Sequence, residues 1–481
     1  MHITDLHPTH RLQHWLQKNR LLLLRFLVVA GALLGSVAFA LYGLSLKLTL
    51  LVVATPVVLV GTAVLLRWPP LGFVLLIVAS HVFKMEVIYV IGTAAVLASG
   101  LTALWLFDMA IIKRQFSMVK SRTTAPLFLF VLVTILAFIN GQLPWYPVTP
   151  APLNGQFGGI LILVISVAVY LMVANQVRDE RWLMAIVFMF ILVGAGMIFG
   201  RMIPFTLRLV MMVYSQQVAS GGMFWTWIVP LSFTQAVFNK TLHIRWRAAL
   251  MAVTLGALYI SLGPARAWVS GWLPPLVALM VALWVGMPRQ AFMATLFGGL
   301  AVLTQIQSLM DNLLYIGDNS YSETTRLEAW RIIGEIVKIS PLLGLGPANY
   351  SYYTQLFPIL GWYVQFNSHN QYVDIVAQTG ILGLICILWF AWEILRLAWR
   401  LHQIVPKGGF LEAYVYGTLG GIVATFAAGM LGDWFLPYVY NATIRAMRTS
   451  LLPWIFMGGL VAIEQMLLAR KEASGQVASG K

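Results

Sequence analysis

Apolar runs long enough to cross a lipid bilayer recur along the chain, and they constrain its fold more than any motif does. A membrane-spanning helix needs about 20 mostly apolar residues. The bilayer core holds no water to satisfy backbone polar groups, so only helices or closed barrels can cross it. Candidate spans fall near 21–46, 48–66, 70–84, 87–107, 125–140, 157–176 and 182–200. They continue at 222–239, 248–263, 268–287, 290–306, 371–395, 411–431 and 451–468. The run 70–84 is short and also fits a re-entrant segment. Charged residues make up 10% of the chain, against roughly 25% in an ordinary soluble domain, so water cannot be its main solvent. The expectation is an all-α polytopic membrane protein with about 14 (12–14) transmembrane helices.

The charges order these runs. A net charge of +15 would fit nucleic acid if it lay along one face. Instead, Lys and Arg sit in short clusters between apolar runs, and no nucleic-acid recognition module is present. Such clusters mark cytoplasmic loops and lie near anionic lipid headgroups. With the N-terminus inside, the inner loops hold Arg67, Lys113, Arg114, Lys120, Arg122, Arg178, Arg181, Lys240, Arg245, Arg247, Arg289, Arg396, Arg400, Lys407, Arg470 and Lys471. The predicted organisation is a cytoplasmic segment 1–20, a helical region 21–306, an exterior loop 307–370, a second helical region 371–468 and a cytoplasmic tail 469–481. The first apolar run is longer than a signal-peptide core and reads as a retained helix. The tail from Glu472 reads as disordered. Cys386 is the only cysteine, so no intrachain disulfide is possible.

Residues 307–370 form the one long hydrophilic stretch. It must face water or a wet cleft, and a polar connection this long is usually functional. Thr325-Arg-Leu-Glu328 fits a capping box. Leu327, Trp330, Ile333, Ile336 and Val337 follow at helical spacing, predicting an amphipathic helix that stops at Ser340-Pro341. The next run, Pro341-Leu-Leu-Gly-Leu-Gly-Pro347, reads as a tight turn or, less simply, as a phosphate cradle.

Exterior basic residues are exceptions to the orientation rule. Arg201 and Arg208 lie in a segment that reads as interfacial, where they either anchor or contact substrate. Arg445 and Arg448 either anchor helix ends or pair with Asp433. Arg266, between two spans, has no acid near it in sequence. A guanidinium fork binds phosphate bidentately and stays charged at physiological pH. His369 stands where the exterior loop enters the span beginning near Gln371. A neutral imidazole there can accept a hydroxyl proton, or it can serve as a structural, hydrogen-bonded residue. Two arginines and a histidine on one side of a membrane suit a diphosphate leaving group and an incoming hydroxyl. Asn370 and Tyr372 flank the histidine as further contact candidates.

The stretch from Arg266 to Gly383 resembles the O-antigen ligase and Wzy-type polymerase superfamily. The matching text is Pro-Ala-Arg266-Ala-Trp, Arg326-Leu-Glu-Ala-Trp330, Pro341-Leu-Leu-Gly-Leu-Gly346, Ser368-His369-Asn370-Gln-Tyr372 and Gln378-Thr-Gly380-Ile-Leu-Gly383. Ten residues separate His369 from Gly380, the His-x10-Gly spacing of the ligases, while Ser270 stands where ligases tend to carry Leu. The resemblance implies a GT-C-like glycosyltransferase of the bacterial inner membrane, acting on its exterior face. It implies an undecaprenyl-diphosphate-linked glycan as donor, no metal or other cofactor, and inversion at the anomeric carbon. Arg266 and Arg326 would contact the pyrophosphate and His369 would be the base. A glycan, a lipid A core or a protein hydroxyl would be the acceptor. A flippase or other transporter is the alternative. It is disfavoured because the two halves look unrelated and the reactive residues collect on one surface.

Overall fold

The computed structural model describes residues 46–82, 86–88, 91–265, 268–304 and 319–479. Two compact units divide the chain, Met1–Gly72 and Phe73–Lys481. In the first, helix α1 (Leu46–Arg67) carries Pro56 inside it. The predicted span 21–46 lies outside the described residues, apart from Leu46.

From Leu71 onward the chain is almost wholly helical. In order come α2 (Leu71–Val82), α3 (Thr93–Phe107, extended by a π-turn Asp108–Ile112), α4 (Thr124–Asn140), α5 (Leu153–Gln176), α6 (Glu180–Met202) and α7 (Pro204–Val213). Then follow α8 (Gln216–Ala219), α9 (Gly222–Val237), α10 (Ile244–Leu262), α11 (Val269–Gly286) and α12 (Pro288–Thr304). The hydrophilic stretch 307–370 contributes α13 (Asn319–Val337) and α14 (Tyr350–Thr354). The chain closes with α15 (Gln371–Ile404), α16 (Phe410–Ala428) and α17 (Met447–Ser479). Among the described residues, seven helical stretches are long and apolar enough to cross a bilayer: Thr93–Ile112, α5, α6, α11, α15, α16 and Ile444–Ala473. The other predicted spans coincide with helices that are shorter or less apolar. The run 70–84 becomes the 12-residue α2.

Four local expectations are corrected. The run 87–107 is not one helix: Glu86–Ile88 pairs antiparallel with Ile91–Gly92 before α3 begins. Val87, Ile88 and Ile91 are β-branched and favour extended backbone. Helix α13 starts at Asn319, so the Thr325–Glu328 box lies inside the helix and does not cap it. Leu327 is exposed, and the buried stripe of α13 consists of Ala329, Ile332, Ile333, Ile336 and Val337. Finally, α17 runs on to Ser479, because its Ala, Lys, Glu and Gln residues are good helix formers outside the bilayer as well as inside.

Burial separates two kinds of helix. Helices α9 and α16 are buried on nearly every side and pack on each other and on α11. On α4 and α12, by contrast, large apolar side chains such as Leu132, Ile139, Phe297 and Leu300 face outward. Outward apolar surface on this scale suits lipid rather than water. The stripe of α13 does not lie loose: it joins Leu345, Tyr350, Tyr353, Ala377 and Tyr438 in one cluster.

Helix α15 breaks at Gly380, whose φ of 69° and ψ of −174° are non-helical. The break takes Ile381 N and Leu382 N away from their helical acceptors, Ala377 O and Gln378 O. All four groups find partners in the turn after α13. Ile381 N donates to Pro341 O at 2.9 Å and Leu382 N to Leu342 O at 3.3 Å. In return, Leu345 N donates to Ala377 O at 2.9 Å and Gly346 N to Gln378 O at 3.1 Å. The run Pro341–Pro347 is therefore a turn that completes a broken helix, not a phosphate cradle. Glycine is required where the two strands of backbone touch. A Cβ on Gly380 would overlap the Leu342 carbonyl, and one on Gly344 would come within 2.6 Å of Gly380 N. Asn140 at the end of α4 locks the turn from the other side, donating to Ser340 Oγ (2.8 Å) and Gly344 O (2.7 Å).

Gly380→Ala should lower stability by at least about 2 kcal/mol, since it adds left-handed strain to a steric clash. Gly334→Ala on α13, where a Cβ meets nothing, should be neutral or slightly stabilising. Thermal unfolding of the purified variants in detergent checks both, and equal midpoints would refute the role given to the break.

Candidate active site

His369 is placed by a knot of short-range bonds at the start of α15. Asn370 is the N-cap, its Oδ1 accepting from Tyr372 N (2.9 Å) and Val373 N (3.3 Å), which satisfies two amides the helix leaves free. One residue earlier, Ser368 Oγ accepts from Asn370 N at 2.9 Å and donates to Asp374 Oδ1 at 2.7 Å. Between them His369 is forced to a φ of 47°, a left-handed backbone that few non-glycine residues adopt. Tyr350 on α14 holds this knot from behind: its hydroxyl donates to Asp374 Oδ1 and accepts from Ser368 N at 3.2 Å. Burial, with Asp374 beside it, pushes the Tyr350 phenol well above its usual pKa, so it stays a donor. Trp330 of α13 adds a bond from Nε1 to Ser368 O at 2.7 Å.

The histidine itself remains open to solvent. Its Nδ1 lies 3.4 Å from the Asn441 amide nitrogen, which in turn donates to Asp433 Oδ1 at 2.5 Å. Asp433 is 5% exposed, and its Oδ2 accepts from Tyr438 N at 2.7 Å. Burial raises the pKa of Asp433, against the opposing effects of the Tyr438 and Asn441 hydrogen bonds and of His369. Two proton arrangements satisfy this relay. With Asp433 ionised, the Asn441 amide donates both ways and the ring proton sits on Nε2. With Asp433 protonated, a flipped amide accepts from the Asp433 hydroxyl and from His369 Nδ1–H, leaving the Nε2 lone pair free; amide orientation follows the network.

Three effects set the basicity of His369. Desolvation by its surroundings lowers its pKa, Asp433 raises it, and Arg326 lowers it again. The electrostatic coupling brings Arg326, 43 residues earlier in the sequence, into the field of His369. Arg326 is half-buried on α13, and its Nε is shielded from solvent with no hydrogen-bond partner among the described residues. A buried donor without an acceptor costs about 1–3 kcal/mol, which an anionic ligand would recover.

The remaining predicted residues fall out differently. Arg266 lies outside the described residues. Its described neighbours lead to the Asp433 loop: the Trp268 ring packs against Trp434 at 5.7 Å, and Ser270 Oγ donates to Leu431 O at 3.4 Å. Ser270, at the position where ligases tend to carry Leu, thus ties α11 to that loop. Asn370 and Tyr372 have their polar groups engaged in holding the knot, Asn370 as the cap and Tyr372 through its hydroxyl on Phe426 O (2.6 Å). Arg201 ends α6, half-buried, while Arg208 is exposed on α7. Among the described residues, neither is hydrogen-bonded to His369. Arg448 donates to Ser80 O at 3.1 Å. Asn441 and Asp433 escaped sequence reading as partners of His369, because 72 and 64 residues separate them from it. The one available signal was an acid, Asp433, the lone carboxylate between Glu412 and Glu464. Among the described residues no three His, Cys, Asp or Glu side chains cluster to hold a metal ion.

A base beside a cation, backed by a buried acid, can take a proton from a hydroxyl while an anionic leaving group is stabilised. Residues 236–388 match the family model described as O-antigen ligase (Wzy_C). That segment contains Arg326, His369 and the Gly380 break, and it supports the superfamily resemblance read from the sequence. No curated protein matches the chain.

Titration of His369 by NMR of histidine-labelled protein should give a pKa below the ordinary imidazole value of about 6.5. Asp433→Asn removes the carboxylate and should lower it further. Arg326→Gln removes a repelling cation and should raise it. Shifts of the opposite sign, or none, would show that these groups do not share a field.

Proposed function

We propose that this protein, whose residues 236–388 are of the O-antigen ligase type, is a membrane glycosyltransferase. It moves an undecaprenyl-diphosphate-linked glycan to an acceptor hydroxyl on the exterior face of the bacterial inner membrane. In this reading the fold is GT-C-like with fourteen crossings and both termini inside, and the residue pattern around His369 is that of a ligase or polymerase. The observation that carries the reading is the pairing of Arg326 and His369. A solvent-reaching imidazole and a guanidinium with a shielded, unpartnered Nε share one field within the matched segment.

The chemistry follows from these groups. His369 takes the proton of the acceptor hydroxyl as its oxygen attacks the anomeric carbon. The bond from that carbon to the pyrophosphate oxygen breaks, and its electron pair leaves with undecaprenyl diphosphate. Attack opposite the leaving group inverts the anomeric centre. Arg326, together with Arg266, binds the pyrophosphate and stabilises the charge that grows on it, cation side chains serving in place of a metal. Because desolvation depresses the His369 pKa, the ring is neutral, and therefore competent as a base, at neutral pH. The buried Asp433, through Asn441, sets which ring nitrogen faces the acceptor. A lipid A core, a second lipid-linked glycan or a protein hydroxyl would each offer the required nucleophile.

The test uses protein in lipid nanodiscs supplied with undecaprenyl-diphosphate glycan and candidate acceptors. His369→Ala should reduce turnover by about 100-fold or more while donor binding persists; near-normal turnover would remove the base from the scheme. Arg326→Lys and Arg266→Lys keep the charge but lose the bidentate fork. Each should weaken donor binding, and unchanged donor affinity in both would rule out the pyrophosphate role.

A further inference from the structure

A second site lies at the end of the helices far from His369. Helix α15 starts beside His369 and reaches Arg400 about 40 Å later at the usual helical rise, more than the roughly 30 Å of a hydrocarbon core. There a cavity of about 370 Å³ opens between the loop leading into α4, the end of α15, and α17. Its walls carry Lys120, Arg122, Arg396 and Arg400 against two carboxylates, Glu393 and Glu464. Glu464 is taken by Arg400, while Lys120, Arg122 and Arg396 have no ion-pair partner among the described residues. Hydroxyls join them: Ser121 and Thr123 also line the cavity, hydrogen-bonded to each other at 2.8 Å.

The cavity is not a closed pocket for a soluble ion. A second space of about 580 Å³ shares Lys120, Ser121 and Arg122 and continues along α4 over Thr124, Ala125 and Phe128. The face of α4 beyond it, Phe128, Leu129 and Leu132, is apolar and outward. On α15 the indoles of Trp392 and Trp399 are exposed at the same level, and Trp is enriched where a helix meets the headgroup layer. A cationic chamber thus leads into an apolar groove, both at headgroup depth. The volume also lies within the range of small-ligand sites.

We propose that this chamber binds the phosphate of an anionic phospholipid, with the guanidinium forks of Arg122 and Arg396 on the phosphate oxygens and an acyl chain along α4. This site is independent of the transferase reading and faces the opposite membrane surface. Guanidinium suits the role because it pairs bidentately with phosphate, and basic pockets between transmembrane helices are known headgroup sites. Lipid bound there would join α4, α15 and α17, and of these α4 and α15 also take part in the Gly380 break.

The full chain in detergent, titrated with phosphatidylglycerol and read by native mass spectrometry, should retain the lipid, whereas phosphatidylcholine should wash out. The double variant R122Q/R396Q should bind phosphatidylglycerol about 30-fold more weakly. K338Q, on the exterior loop, should bind like the parent. Equal retention of phosphatidylcholine, or undiminished binding by the double variant, would overturn the proposal. Displacement of the lipid by millimolar inorganic phosphate would overturn the lipid assignment in favour of the free ion. Should the double variant not fold, R122Q and R396Q singly carry the same test, each with a smaller loss expected.

Discussion

At Gly380 a membrane helix gives up its own backbone bonds and takes them from a loop instead. Inside a bilayer an unsatisfied amide or carbonyl costs several kcal/mol, so four free groups could not be tolerated unless something returned them. The turn Pro341–Pro347 supplies two carbonyls and two amides in matching order. Non-helical backbone within a membrane helix is admissible only where protein, not lipid, surrounds it, and Leu345, Ala348 and Asn349 are fully buried. The break is therefore less a defect in α15 than the point where the long hydrophilic loop is fastened to the helices.

From that fastening the candidate site follows. The turn delivers Tyr350 to Asp374 and Ser368, and it sets α13 so that its apolar stripe packs on Tyr350, Ala377 and Tyr438. With α13 in place, Arg326 acts on His369. With Ser368 and Asn370 both bonded, His369 has one backbone geometry, and it is a strained one. Strain of this kind persists only where the surroundings over-determine it, and here the cap, the serine knot, Tyr350 and Trp330 all do so. The proposed catalytic arrangement thus depends on hydrogen bonds made by neighbouring residues and, through Tyr350, on a group 19 residues from His369.

Particular residues show how far the chain could be read without its structure. Apolar runs marked nearly every helix, because a bilayer imposes one length and one composition on each. The His-x10-Gly spacing was visible as text, but its meaning was not. Gly380 matters for a carbonyl at Leu342 that lies 38 residues upstream. The Thr325–Glu328 box misled because Ser/Thr-x-x-Glu is also ordinary helix interior when preceding residues continue the turn. Leu327 misled because a period fitted to five residues allows a neighbouring stripe. The Glu86–Gly92 ribbon was hidden inside an apolar run, where β-branched residues and a short helix look alike.

By itself the sequence determined a membrane protein built of helices, a single long hydrophilic loop with an amphipathic helix, and a histidine at the mouth of a span. Each of these is a matter of composition or of spacing within a turn or two, which local chain physics can impose. Only the tertiary structure decided that Asp433 and Asn441 stand behind His369, that Arg326 reaches its field, and that the glycine turn repairs a broken helix. Those relations join residues tens of positions apart. No local periodicity encodes them, and they exist only once buried polar groups have had to find partners across the packed helices.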